Sequence, residues 1–254
     1  LESIYIASIG RSFRTSKDGE MIRFGQESAK AEMIFSKNTG DTEIEIQFYS
    51  DRKKSIKMDG VRLKRTSQLL DNIYIVIFSP DDLKIVKDEP EKRRKFIDRE
   101  LCLIRPSYYK DLSDYKKVLL ERNTYLKENN IDRSMLDIWD AQLAKYGASI
   151  ISKRREFIRE LSDISGEIHR SITNNTEDLT IKYRPNVEDE KELYNILRNS
   201  DEQDIKMRTT TRGPHKDDME FFIRRDEEEI NARSFGSQGQ QRTAALSLRL
   251  FPVL

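Results

Sequence analysis

Residues Ser234–Leu250 read SFGSQGQQRTAALSLRL. Gly236, Ser237, Gln238 and Gly239 run together, followed by two glutamines, Arg242 and a clean Ala/Leu stretch. The run predicts a flexible polar loop opening onto a strong helix. The first turn of a helix carries unpaired N–H groups and a partial positive charge, so it attracts anions. Glycine lets the backbone approach closely, and the Ser237 hydroxyl can cap the helix or donate to a phosphate oxygen. Gln240 and Gln241 extend neutral hydrogen bonding, and Arg242 supplies a permanent cation. The alternative reading is an ordinary helix with a serine N-cap.

Bulk properties narrow the setting of this loop. The 254 residues suffice for one large domain or two lobes. Charged and hydrophobic residues each make up 36% of the chain, which suits long solvent-exposed helices. Net charge is +1, so a nucleic-acid site would come from local clustering and not from a global basic field. The single cysteine, Cys102, excludes an intrachain disulfide and argues against a cysteine-based zinc site. Apolar runs such as Ile73–Phe78 are too short to cross a bilayer, and no signal segment opens the sequence. A cytoplasmic protein without a membrane partner is expected. Leu1 follows no methionine and Pro252 cuts into a good helix, so both ends read as cut from a longer chain.

Residues 31–78 carry short runs rich in Ile, Phe and Val that read as strands, with Asp59-Gly60 as a two-residue hairpin turn. Ser79-Pro80-Asp81-Asp82 can start a short helix. From Asp88 the sequence turns helical. Tyr108, Leu112, Tyr115, Leu119 and Leu126 form one apolar seam. Leu136, Trp139, Leu143, Tyr146, Ile150, Phe157, Leu161, Ile164, Ile168 and Ile172 form a second. Asn129–Asp132 makes a turn between them, which predicts two long antiparallel helices. The second seam loses its beat at Lys153, so an irregular hairpin is expected. A short helix fits Glu188–Leu197, and DLTIKYRP and DMEFFIRR read as strands on either side of it.

The loop and helix at 234–250 look like the signature motif of ABC-type ATPases, most closely the version in the RecF family of bacterial DNA repair ATPases. Other stretches agree in order. VIFSPDDLKIVKDEPEKRRKFID (76–98) is similar to the RecF segment leading into its helical lobe. YKKVLLERNTYLK and LDIWDAQLAKYGASI resemble its helical hairpin, RGPHKDDMEFFI (212–223) its return strand, and IGRSFRTS (9–16) the region after its phosphate-binding loop.

The resemblance implies an α/β fold, an ABC-type ATPase head (a mixed β-sheet lobe) with an inserted long helical-hairpin lobe. Residues 1–87 and 201–254 would belong to the ATPase lobe and 88–200 to the hairpin lobe. It implies head-to-tail dimerisation, with Ser237, Gly239 and Gln240 on the γ-phosphate of ATP held by the other subunit and with Gln241 and Arg242 supporting the turn. Intact relatives would use ATP and Mg2+ in a slow, switch-like ATPase. They would clamp DNA at gaps and single-strand/double-strand junctions, with RecO and RecR as partners, in recombinational gap repair and the SOS response.

Hydrolysis needs a G-x-x-x-x-G-K-[ST] loop, and no such run occurs in these 254 residues. In the family it would stand just before Leu1, and the acidic magnesium-holding strand would follow Leu254. These 254 residues alone are therefore expected neither to bind ATP tightly nor to hydrolyse it, and no catalytic or metal-ligating residue is assigned within them.

Arg52, Lys53, Lys54, Lys57, Arg62, Lys64 and Arg65 put seven cations into fourteen residues around the Asp59-Gly60 turn. Phosphodiester contact and simple protection of a sheet edge are both open readings. Lys92–Arg94 and Lys153–Arg155 read as solvated helix faces. Gly213–Asp218 gathers His215, Asp217 and Asp218 but reads as a turn into a strand. A non-enzymatic helical-hairpin interaction protein is the competing interpretation. A chromosome-condensation ATPase head fits less well, because those proteins separate their halves by hundreds of residues.

Overall fold

The computed structural model describes residues 2–12, 14–15, 17–37, 40–69, 78 and 80–251. The chain forms two compact units, residues 1–77 and 78–252.

In the first unit, helix α1 (Glu2–Ile9) accompanies a four-stranded sheet in the order β1-β2-β3-β4. These strands are β1 (Ser28–Lys37), β2 (Gly40–Tyr49), β3 (Ser55–Met58) and β4 (Val61–Arg62). Ile44, Ile46 and Phe48 alternate into the core of the unit with Ile6, Ile56 and Leu69, as a half-buried antiparallel sheet requires. Asp59 (φ 50°) and Gly60 (φ 77°) make the expected tight turn between β3 and β4. The apolar run at 73–78 lies outside the described residues except for Phe78.

The second unit is built around two long helices. Short helix α2 (Lys84–Lys87) precedes α3 (Pro90–Ile104), α4 (Pro106–Tyr125) and the forty-residue α5 (Arg133–Ile172). Pro90 and Pro106 occupy first-turn positions, where a missing N–H costs nothing. The Asp132 carboxylate caps α5 by accepting from Ser134 N at 2.9 Å. Contacts of Arg122 with Asp140 and of Asp111 with Lys153 fix α4 and α5 as an antiparallel pair.

The expected irregularity at Lys153 is absent, and α5 runs unbroken through it. The apolar beat lapses there because Arg154 occupies the buried position, only 2% exposed. Arg93 is likewise buried and pairs with Asp218 at 2.6 Å, so neither basic run is a simple solvated face. Ile172, placed on the second seam by spacing, is exposed at the end of the helix.

After α5 come β5 (Asp178–Arg184), α6 (Leu193–Asn199) and α7 (Asp201–Met207). Strands β6 (Asp218–Arg225) and β7 (Glu228–Asn231) then lead to α8 (Gln238–Leu250). Strands β5, β6 and β7 form a second antiparallel sheet in that order. Leu179 and Ile181 of β5, with Met219, Phe221 and Ile223 of β6, join Ile150, Phe157 and Leu161 of α5 and Ala244, Ala245 and Leu248 of α8 in one core. Every strand pairing among the described residues is antiparallel, whereas a mixed sheet was the expectation.

Candidate functional site

The glycine-rich turn enters α8 from a compact loop after β7. Asn231 starts it: the side-chain oxygen accepts from Arg233 N at 3.0 Å and Ser234 N at 3.3 Å, and its carbonyl accepts from Phe235 N at 2.9 Å. A Cβ on Gly236 would stand 2.5 Å from Ala232 O, so only glycine passes that point. Ser237 is the N-cap of α8. Its Oγ accepts from Gln240 N at 3.2 Å, while Ser237 N donates to Gln240 Oε1 at 2.9 Å, a complete capping box.

This geometry realises the serine cap without burying the turn. Ser237, Gln238, Gly239 and Arg242 are exposed, and the amides of Gln238 and Gly239 meet no acceptor among the described residues. Two donors at the positive end of a thirteen-residue helix therefore face solvent, the arrangement that receives an anion. Phe235 stands beside them, 75% exposed.

The two glutamines divide the work. Gln241 is buried and its Nε2 donates to Ala232 O at 2.9 Å, holding the base of the loop. Gln240 is half-buried, and its Nε2 donates to Glu177 Oε1 at 2.9 Å. The far end of α8 is anchored by Arg249, whose Nε donates to buried Asp82 at 2.6 Å.

The basic group of the first unit separates by partner. Lys54 pairs with Asp18 and Lys57 with Glu45, each at 2.8 Å. Arg52 lies 3.9 Å over the Tyr49 ring. Arg52, Lys53, Arg62, Lys64 and Arg65 are exposed and have no carboxylate partner among the described residues.

Residues 213–218 form the expected turn, yet they engage far more than sequence spacing suggests. His215 bridges Tyr115 Oη (2.7 Å) and Thr210 O (2.9 Å), and burial lowers its pKa to about 4. Asp217 is buried and accepts from Arg154 at 2.9 Å, from Asn186 N at 2.8 Å and from the Tyr183 hydroxyl. Burial pushes its carboxyl above the usual range, with Arg154 opposing. A second buried cluster gathers Asp140, Asp201 and Asp204 around Arg122 at 2.7, 3.1 and 2.7 Å. Among the described residues no group of three or more His, Cys, Asp or Glu side chains is placed to hold a metal. None of their helices is long and apolar enough to cross a membrane.

Two antiparallel sheets, a long helical pair and a glycine-led helix after the return strands define the chain as an α/β protein. No protein-family model matches it. DNA replication and repair protein RecF of Clostridium botulinum (strain ATCC 19397 / Type A) is 44% identical over 254 residues, covering 98% of this chain and 69% of that protein. The RecF protein of Clostridioides difficile (strain 630) is 43% identical, with all of this chain and 69% of that protein covered. Among solved structures, the recombination mediator protein RecF-ATP of the RecFOR pathway aligns with a TM-score of 0.67 at 36% identity, over 99% of this chain and 70% of that one. The RecF-ATPrS form gives 0.66 at 35%. The chain belongs to the RecF family of DNA replication and repair proteins.

Proposed function

We propose that this chain is the greater part of a DNA-repair ATPase that closes on DNA as an ATP-dependent dimer. In this reading the turn at 236–242 receives the γ-phosphate of ATP held by a second copy. Gln238 and Gly239 offer backbone amides, Ser237 a hydroxyl and Arg242 a cation, while Gln240 and Gln241 hold the turn in shape. The observation that carries the reading is the pair of exposed amides at the head of α8 that meet no acceptor among the described residues.

ATP would bridge the two copies, and hydrolysis with Mg2+ would release them. Such a switch requires ATP to favour the dimer over the separate chains. DNA at gaps and single-strand/double-strand junctions would lie against basic surfaces that include Arg52, Lys53, Arg62, Lys64 and Arg65. RecO and RecR are the partners consistent with the RecFOR pathway named for the solved relatives. Recombinational gap repair and the SOS response are the corresponding processes, in the cytoplasm.

Ser237→Arg in the full-length protein tests the reading. It fills the approach to the two amides. ATP-dependent dimerisation should be lost while the monomer still binds nucleotide; a variant that dimerises normally with ATP overturns it.

A further inference from the structure

A line of side chains ties the head of α8 to the far end of α5. Ser237 N donates to Gln240 Oε1, and Gln240 Nε2 donates to Glu177 Oε1, each at 2.9 Å. The second carboxylate oxygen of Glu177 lies 3.6 Å from His169 Nε2. His169 Nδ1 lies 3.3 Å from Ser247 Oγ, on α8 again.

Ser247 Oγ lies within reach of Thr243 O at 2.8 Å and of His169 Nδ1 at 3.3 Å, and its hydroxyl can donate to either. The tautomer that avoids setting a lone pair against the carboxylate leaves Nδ1 to accept from Ser247 Oγ and carries the ring proton on Nε2, facing Glu177. That nitrogen is buried and has no hydrogen-bond partner among the described residues. Burial holds the His169 pKa below its ordinary value, against the pull of Glu177. The other oxygen of the Glu177 carboxylate holds Gln240.

Glu177 is itself held in position. It closes the turn between α5 and β5, where Asn174 and Asn175 take φ of 52° and 60°. Asn175 N donates to Arg170 O at 2.8 Å, and the Thr173 hydroxyl reaches His169 O at 2.8 Å and Glu177 O at 3.3 Å. A glutamine side chain alone loses much rotamer freedom when it caps a helix. With its amide fixed at the NH2 end by a carboxylate, Gln240 presents its oxygen to Ser237 N in one orientation.

We infer that Glu177 is a positioning residue for the glycine-rich turn: it fixes the Gln240 amide and, through it, the end of the turn that meets the second subunit. The inference rests on the dimer reading proposed above. It adds that the root of the helical hairpin sets the shape of the phosphate-facing turn.

The test uses full-length protein carrying Glu177→Ala, Glu177→Asp, Glu177→Gln or Ser237→Arg. ATP-dependent dimerisation, monomer ATP affinity and melting temperature are measured for each. Glu177→Ala and Glu177→Asp should weaken dimerisation about tenfold, the scale of one hydrogen bond to a charged group. Monomer ATP affinity and melting should stay near wild type. Glu177→Gln should dimerise normally, because its amide oxygen still accepts from Gln240. Normal dimerisation of both Glu177→Ala and Glu177→Asp, with Ser237→Arg still defective, overturns the inference and leaves the dimer reading intact. Failure of Glu177→Gln to restore dimerisation also overturns it, as does a melting loss that parallels the dimerisation loss. Normal dimerisation of Ser237→Arg removes the reading itself and the inference with it.

Discussion

Arg154, midway along a forty-residue helix, meets Asp217 at 2.9 Å with both side chains out of water. The same guanidinium reaches Asp98 at 2.7 Å, Tyr108 Oη at 3.0 Å and Pro214 O at 2.7 Å. One side chain thus joins α3, α4, α5 and the turn before β6. Replacing a whole buried ion pair is often neutral, but removing one partner leaves an uncompensated charge. Arg154→Met is therefore expected to lower the unfolding free energy by about 3–5 kcal/mol. Urea denaturation reads this as a fallen midpoint at unchanged slope; a wild-type midpoint contradicts it.

The hairpin was legible in the sequence because most of its buried positions are apolar and regularly spaced. It was misread where the seam passes through charge. Arg122 fills the gap between Leu119 and Leu126, and Arg154 fills the gap between Ile150 and Phe157, each buried among acids. Those acids come from residues 98, 140, 201, 204 and 217, which spacing cannot bring together. The glycine-rich turn was legible because its signal is local: a serine cap, a glycine and a glutamine three residues later. Glu177 was not, since it meets Gln240 from sixty-three positions away.

His215 and Asp140 make opposite contributions to pH dependence. Burial lowers His215 to about 4, below the ~6.5 of an unfolded histidine. The unfolded chain then binds the proton more readily, so stability present above pH 6.5 is lost as pH falls toward 4. Burial raises Asp140 to about 6, above the ~3.9 of an unfolded aspartate, so stability is lost as pH rises through that interval. The histidine contribution is isolated by comparing wild type with His215→Gln. The stability difference between them should fall by about 2–3 kcal/mol between pH 7 and pH 4. A difference that is flat with pH contradicts the assignment of a neutral, buried imidazole.

Gly236→Ala places a methyl group against Ala232 O, where a Cβ would stand at 2.5 Å. The backbone must shift, and the loop is mostly exposed, so the global cost should stay near 1 kcal/mol. The local cost should be larger: ATP-dependent dimerisation of the full-length protein is expected to drop at least tenfold. Sedimentation with and without ATP measures it, and unaltered association removes the claim that the turn's shape matters.

For DNA, the ion pairs of Lys54 and Lys57 divide the basic group of the first unit. Neutralising Lys53, Arg62 and Arg65 together should flatten the dependence of log affinity on log salt by about 2–3, at roughly 0.9 per phosphate contact. Neutralising Lys54 and Lys57 should change the slope by less than about 1. Equal slopes for all three proteins would assign the cluster to protection of the sheet edge.

The central claim is that the amides heading α8 are satisfied by nucleotide from a second copy of the chain. Hydrogen exchange at Gln238 and Gly239 in the full-length protein tests it most directly. Both amides should exchange fast in the ATP-bound monomer at high dilution, and slowly once ATP and dimer-forming concentrations are combined. Slow exchange in the dilute ATP-bound monomer would contradict it, because the turn would then be satisfied within its own chain.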